Sequence, residues 1–315
     1  MISQRHLRSI REFRIVRGAL IRISAVAFAV SLGGGCHILR PHPVDLQSSI
    51  AREMTYNGID AMQRGRTVEA QNLFTKAAEV APEDQRIRAE LARTFVQNGQ
   101  IHQAIAQMQK AVELSGGEAS YHVELGQLFV QTGQLDLARQ EADRALKNNR
   151  RLATAWALKG QVEQAMGQLD QARTSLHRAL AHDPDLNDVR FRLGQVYYDL
   201  HEPQRSLSVL DGLLRHYGPG ELPPKYLLLD AQALAEIGQL DKAAEVLAQA
   251  ADGPEPMPEM LLELSRIQIL RGDAANARRT LSRGRELFGN QPEFQHRLDE
   301  LPPGEAETAG VNNWK

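Results

Sequence analysis

A stride of 34 residues governs this chain. The tetrapeptide Gly-Gln-Leu-Asp occurs at Gly133–Asp136, Gly167–Asp170 and Gly238–Asp241, the first two copies 34 residues apart. They sit in a wider register, with glycine at Gly65, Gly99, Gly133, Gly167, Gly238 and Gly272 and His201 in the remaining place. Five residues later come Ala70, Ala104, Ala138, Ala172, Ala243 and Ala277, with Ser206 in the unit of His201. Every interval is 34 residues except one of 37. A fixed period in this range marks one supersecondary unit stacked on copies of itself, because a single unit cannot bury its own apolar face. Seven units cover residues 51–291.

Each unit reads as two amphipathic helices. In Ala155–Pro184 the first helix is expected to run to Met166 and the second from about Gln171 to Ala181. Gly167 supplies the left-handed residue that ends the first helix without a Cβ clash. Asp170 is expected to offer its carboxylate to the free N–H groups opening the second, and Pro184 stops that helix. Aromatic residues make up only 5% of the chain, so the core must be built from Leu, Ala, Val and Ile. Helices packed on helices suit that composition.

The residues of the unit resemble the tetratricopeptide repeat. Leu125, Gly126 and Phe129 reproduce its Leu-Gly-x2-Tyr core, as do Leu193, Gly194 and Tyr197; Trp156 and Gly160 supply its tryptophan and glycine. Ala70, Phe74, Ala77 and Pro82 carry its second half in the first unit, and Ala172, Leu176, Ala179 and Pro184 in the fourth. Lys159 stands where leucine is usual, and Ala231 and Ser265 where glycine is. The resemblance implies an all-α, right-handed solenoid of about seven helix-turn-helix repeats. Two further features follow from the residues. The three extra residues fall in His216–Lys225, rich in Gly and Pro, which reads as a longer surface loop or a hinge. After the seventh unit, Phe294, Leu298 and Leu301 lie at helical spacing in Pro292–Leu301, a capping helix, ahead of a disordered tail over 302–315.

The start of the chain reads as an address. Residues 1–35 carry six arginines and one acid, whereas the remainder carries a net charge of −7. Ten uncharged residues, Ile23–Leu32, follow the basic stretch, and then come three glycines and Cys36, the only cysteine. Basic segment, short apolar segment and small residues are the layout of a secretory signal peptide. The apolar run is too short to span a bilayer, which takes about 20 residues. The layout resembles a bacterial lipoprotein signal, which implies lipidation of Cys36, although Gly33 stands where that family usually has leucine. An ordinary cleaved signal or a basic amphipathic presequence would share much of the pattern. Residues 36–50 then read as a tether holding the repeats off a membrane.

No catalytic constellation is present. The chain has no His-Glu-x2-His, no Gly-x-Ser-x-Gly and no phosphate-binding Gly-x4-Gly-Lys-Ser/Thr. One cysteine excludes an internal disulfide, and a lipidated Cys36 would have no thiolate to offer a metal beside His37 and His42. The acidic remainder lacks the clustered cations of a nucleic-acid surface. Neither cofactor nor metal nor nucleic acid is expected.

In the family it resembles, the first helix of each hairpin lines a concave groove where partner peptides lie. Carried over to this chain, one groove position holds Gln127, Gln161, Gln195 and Gln232 in four successive units, with Arg93 before them and Arg266 after. Carboxamides both donate and accept hydrogen bonds, so such a row suits the backbone of an extended peptide. Phe191, Gln195 and Tyr198 share one helix face, the two aromatics reading as anchors, while Arg86 and Arg93 read as partners for an acidic group. The Lys/Asn clamp with which some relatives hold chaperone tails is not reproduced. These residues point to a non-catalytic, exported scaffold that binds a protein partner in its groove, or to an adaptor tethering an envelope hydrolase or glycan-processing enzyme.

Overall fold

The computed structural model describes residues 43–214, 217, 222–253 and 256–299. Seven helical hairpins follow one another: α1 (Pro43–Gln63) and α2 (Thr67–Val80), α3 (Gln85–Gln97) and α4 (Ile101–Leu114), α5 (Ala119–Gln131) and α6 (Leu135–Asn148), α7 (Ala153–Ala165) and α8 (Leu169–His182), α9 (Asn187–Asp199) and α10 (Pro203–Leu214), α11 (Pro224–Glu236) and α12 (Leu240–Ala251), α13 (Pro258–Leu270) and α14 (Ala274–Phe288). A short α15 (Pro292–Asp299) follows. Among the described residues there is no strand, and no helix is long and apolar enough to cross a membrane.

The turn inside every hairpin but the fifth is set by glycine. At the fourth turn the Gln168 N–H donates to the Glu163 carbonyl at 2.8 Å and the Gly167 N–H to the Gln164 carbonyl at 2.9 Å. This pair of bonds requires a left-handed residue, and Gly167 has φ 74°. The fifth turn makes the same two bonds with His201 at φ 57°, the one non-glycine residue with positive φ among those described. The rest of the tetrapeptide works differently from the sequence reading. The second helix starts at Leu169, so Asp170 lies inside its first turn and makes no capping bond. It receives a hydrogen bond from Arg173 at 2.6 Å instead, and its charge sits beside the positive helix end. Leu169 contributes half-buried apolar surface to the core.

Packing explains the small residues. Ala70, Ala104, Ala138, Ala172, Ser206, Ala243 and Ala277 are all 0% exposed. Across the crossing, a Cβ on Gly160 would lie 2.7 Å from two carbons of Leu176. Where serine replaces a smaller residue its hydroxyl is satisfied locally: Ser206 donates to the Gly194 carbonyl at 2.9 Å and Ser265 to the Leu262 carbonyl at 2.7 Å. Between repeats, a side chain near the start of the next first helix reaches six residues back to a loop carbonyl. Arg88 does this to Pro82, Trp156 to Arg150 and Arg190 to Pro184. His122 holds the same register and instead meets Glu141 at 2.5 Å, both buried.

The ends of the stack differ from its middle. Ile87, Tyr121, Ala155, Val189, Tyr226 and Met260 share one register and are buried; the first repeat has exposed Glu53 there. Its neighbours are Tyr56, 74% exposed, and Asp60, paired with Arg64 and Arg66. A polar outer face suits a terminal repeat. At the other end α15 sets Phe294 and Leu298 against Leu262 and Leu281; Leu301 and residues 302–315 lie outside the described residues. So do 1–42, with the leader, Cys36, His37 and His42. The tether assigned to 36–50 ends sooner than the sequence suggested, because residues 43–50 are already helical. Pro43 fits there, since a helix's first residue needs no N–H partner. Half of the Gly/Pro stretch, 216 and 218–221, also lies outside, yet Phe191, Leu210, Leu213, Tyr226 and Leu229 form one apolar cluster joining the repeats on its two sides.

Candidate functional site

First helices of successive repeats touch directly: α5 meets α7, α7 meets α9, α9 meets α11 and α11 meets α13. The Arg93–Glu124 ion pair links α3 to α5 in the same way. Second helices show no comparable set of mutual contacts. One side of the stack is therefore a wall of first helices, drawn closer together than the second helices behind them.

The four glutamines stand along this wall. Gln127 is exposed, and Gln161, Gln195 and Gln232 are half-buried. None of their amides has a hydrogen-bond partner among the described residues, so each can both donate to and accept from an incoming chain. In the first repeat Ile59, 38% exposed, holds this register.

The arginines that flank the row are already engaged. Arg93 donates to Glu124 at 2.6 and 2.9 Å and to Glu90 at 2.5 Å. Its pKa is raised above the ordinary arginine value, chiefly by the hydrogen bond to Glu124 and against the effect of burial. Arg93 is thus a clasp between repeats, unlike the open anion site its sequence position suggested. Arg266 is likewise held by both oxygens of Glu263, the shortest contact being 2.7 Å. Arg86 is exposed and makes no ion pair with a described residue.

The aromatic pair divides. Phe191 is only 9% exposed, with its ring 4.5 Å from that of Tyr226 and Lys225 above it at 5.1 Å. The sequence placed it on the groove side, but the next repeat stacks over it, so it is core rather than an exposed anchor. Tyr198 is half-buried beside Glu236 and Glu263; burial first, then those two carboxylates, raise its hydroxyl pKa. Its hydroxyl stays a donor at neutral pH.

Sequence reasoning overlooked a second row. Gln63, Gln97 and Gln131, each four residues past the first register, are exposed at the ends of α1, α3 and α5. In later repeats their places are taken by Ala165, Asp199 and Glu236. The signal was present as a further 34-residue stride, hidden by its position against the turn. Gln164 ties α7 to α9, accepting from Arg192 at 3.2 Å and donating to Asp199 at 3.5 Å. Among the described residues no three His, Cys, Asp or Glu side chains gather as metal ligands.

Comparison with known proteins agrees with this architecture. A tetratricopeptide repeat model matches residues 61–122, 95–162 and 164–221, and a second one matches 228–292. None of the curated proteins matches the chain in sequence. Among solved structures, PilW, described as a type IV pilus biogenesis factor, is 16% identical with a TM-score of 0.63, covering 68% of this chain and 98% of its own. PilF of Pseudomonas aeruginosa is 19% identical with a TM-score of 0.58, covering 65% of this chain and 92% of its own. A tetratricopeptide repeat protein from Parabacteroides merdae is 12% identical with a TM-score of 0.62, covering 79% and 97%. Hairpin, register and stacking together place the chain in the tetratricopeptide repeat family.

Proposed function

We propose that this protein is a non-catalytic scaffold of the bacterial envelope that holds a partner polypeptide along the wall of first helices. The observation that carries the reading is the row Gln127, Gln161, Gln195 and Gln232, four amides without internal partners at one register of four successive repeats. A row of amides spaced along a wall can pair with main-chain N–H and C=O groups whatever the side chains, as a surface for an extended segment must. Tyr198 adds a hydroxyl donor on the same side. The leader-like residues 1–35 and the cysteine that follows support export and a lipid anchor. PilW, similar in fold, is a pilus biogenesis factor, and assembly or organisation of a larger complex is the role we assign here.

A photo-cross-linking amino acid placed singly at Gln127, Gln195, Gln140 and Gln171 tests the site. The first two lie on the wall, and the last two are exposed on second helices. Cross-links to one partner from the wall positions are expected, and cross-links confined to the second helices would reject the reading. For the location, Cys36→Ser is expected to move the mature protein from the membrane fraction to the soluble one; unchanged fractionation and mobility would remove the lipid anchor from the proposal.

A further inference from the structure

The wall of first helices is not electrically uniform. In the first two repeats Arg52 and Arg86 are exposed and form no ion pair with a described residue. They share the second position of their repeats, one stride apart. At the other end Asp199 and Glu236 are exposed, at the register held by Gln63, Gln97 and Gln131 in the first three repeats. Neither carboxylate has a basic partner among the described residues; Asp199 accepts only the distant amide of Gln164, and Glu236 lies against the Tyr198 hydroxyl. Of the other charges on the first helices, Arg93 pairs with Glu90 and Glu124, Lys225 with Asp188 and Arg266 with Glu263, while half-buried Arg192 is held by the Gln164 amide. Along the glutamine row, the exposed side chains without an ion pair are therefore cationic at the first end, Arg52 and Arg86, and anionic at the other, Asp199 and Glu236, with the amides between.

We infer that the bound segment is itself bipolar: an extended polypeptide with acidic residues at one end and Lys or Arg at the other, separated by an uncharged stretch. This deepens the scaffold reading and rests on it. The charge separation sets the length of the stretch. From Arg86 to Glu236 is four repeat steps, and at roughly 10 Å between neighbouring helices that is about 40 Å. An extended chain rises about 3.3 Å per residue, so about a dozen residues lie between the two charged ends. A segment with the same charges intermixed would place acids against Asp199 and Glu236 and bases against Arg52 and Arg86. Unpaired like charges oppose binding and give the surface its discrimination.

Two fluorescein-labelled peptides of one composition test this against the full chain by fluorescence polarisation. One has three glutamates, twelve Ser/Thr/Ala residues and three lysines in that order; the other has the six charges alternating through the same neutral residues. In low salt the separated peptide is expected to bind about tenfold more tightly, and the gap is expected to close in about 0.5 M NaCl, where the screening length falls to several Å or less. The variant Arg52→Glu/Arg86→Glu, with its far-UV circular dichroism unchanged, is expected to lose the preference. Equal binding of the two peptides, each displacing the other, would overturn the bipolar inference while leaving the scaffold reading intact. Binding of neither would overturn both.

Discussion

The crossing glycines offer a sharp test of how the hairpins are held. Gly160 and Gly194 occupy the same register in adjacent repeats, each inside a first helix facing a leucine of the second. Replacing either with alanine improves helix propensity by about 0.8–1.0 kcal/mol. The packing costs differ. At Gly160 the new methyl would lie 2.7 Å from both Cδ2 and Cγ of Leu176 and 3.3 Å from the Ala172 carbonyl. Leu176 is 0% exposed, so it has no room to retreat. At Gly194 the nearest atoms are Leu210 Cδ2 and Cγ at 3.2 and 3.3 Å, which a shift of a few tenths of an ångström relieves. Overpacking costs about 1–3 kcal/mol. Gly160→Ala is therefore expected to destabilise by up to about 2 kcal/mol net, and Gly194→Ala to be neutral or stabilising by up to about 1 kcal/mol. Repeat arrays open locally, so native-state hydrogen exchange of the α7 and α9 amides should accompany urea unfolding followed by circular dichroism. If Gly160→Ala proves as stable as Gly194→Ala, close helix approach is not what the glycine provides.

Three further outcomes follow from the same structure. His201→Gly is expected to stabilise by about 0.5–1 kcal/mol in thermal unfolding, because an exposed side chain at φ 57° carries left-handed strain that glycine lacks; a destabilised variant would refute the strain. Asp230, pushed up to about 6 mainly by burial and then by Asp211, binds its proton more tightly folded than unfolded, so it lowers stability as pH rises from about 4 through 6. Asp230→Asn should accordingly raise the melting temperature at pH 7.5, with the gain shrinking below pH 6 and gone near pH 4; a pH-independent effect would contradict that origin. Phe191→Ala should cost about 3 kcal/mol of stability by opening a cavity beside Tyr226 and Leu210, whereas Tyr198→Phe should leave folding intact and weaken partner binding; the reverse pattern would restore Phe191 as an anchor.

What the amino-acid order determined was local and periodic. Glycine or its His201 substitute at each hairpin turn, invariably small residues at the crossings and the two-helix unit all follow from backbone sterics and helical spacing, which act within one repeat. The stacked neighbour decided the rest. Arg93 and Glu124 meet across 31 residues, as do Arg283 and Asp252, and no pattern inside one repeat shows that those groups are spent on each other. Phe191 carries the periodicity of a groove residue, yet Tyr226 of the next repeat covers it. Asp170 looks like a cap until the helix start is seen to precede it. Periodicity says which face of a helix a side chain occupies. Whether that face is solvent, core or an ion pair depends on how closely the next hairpin lies against it, and that distance exists only in the folded stack.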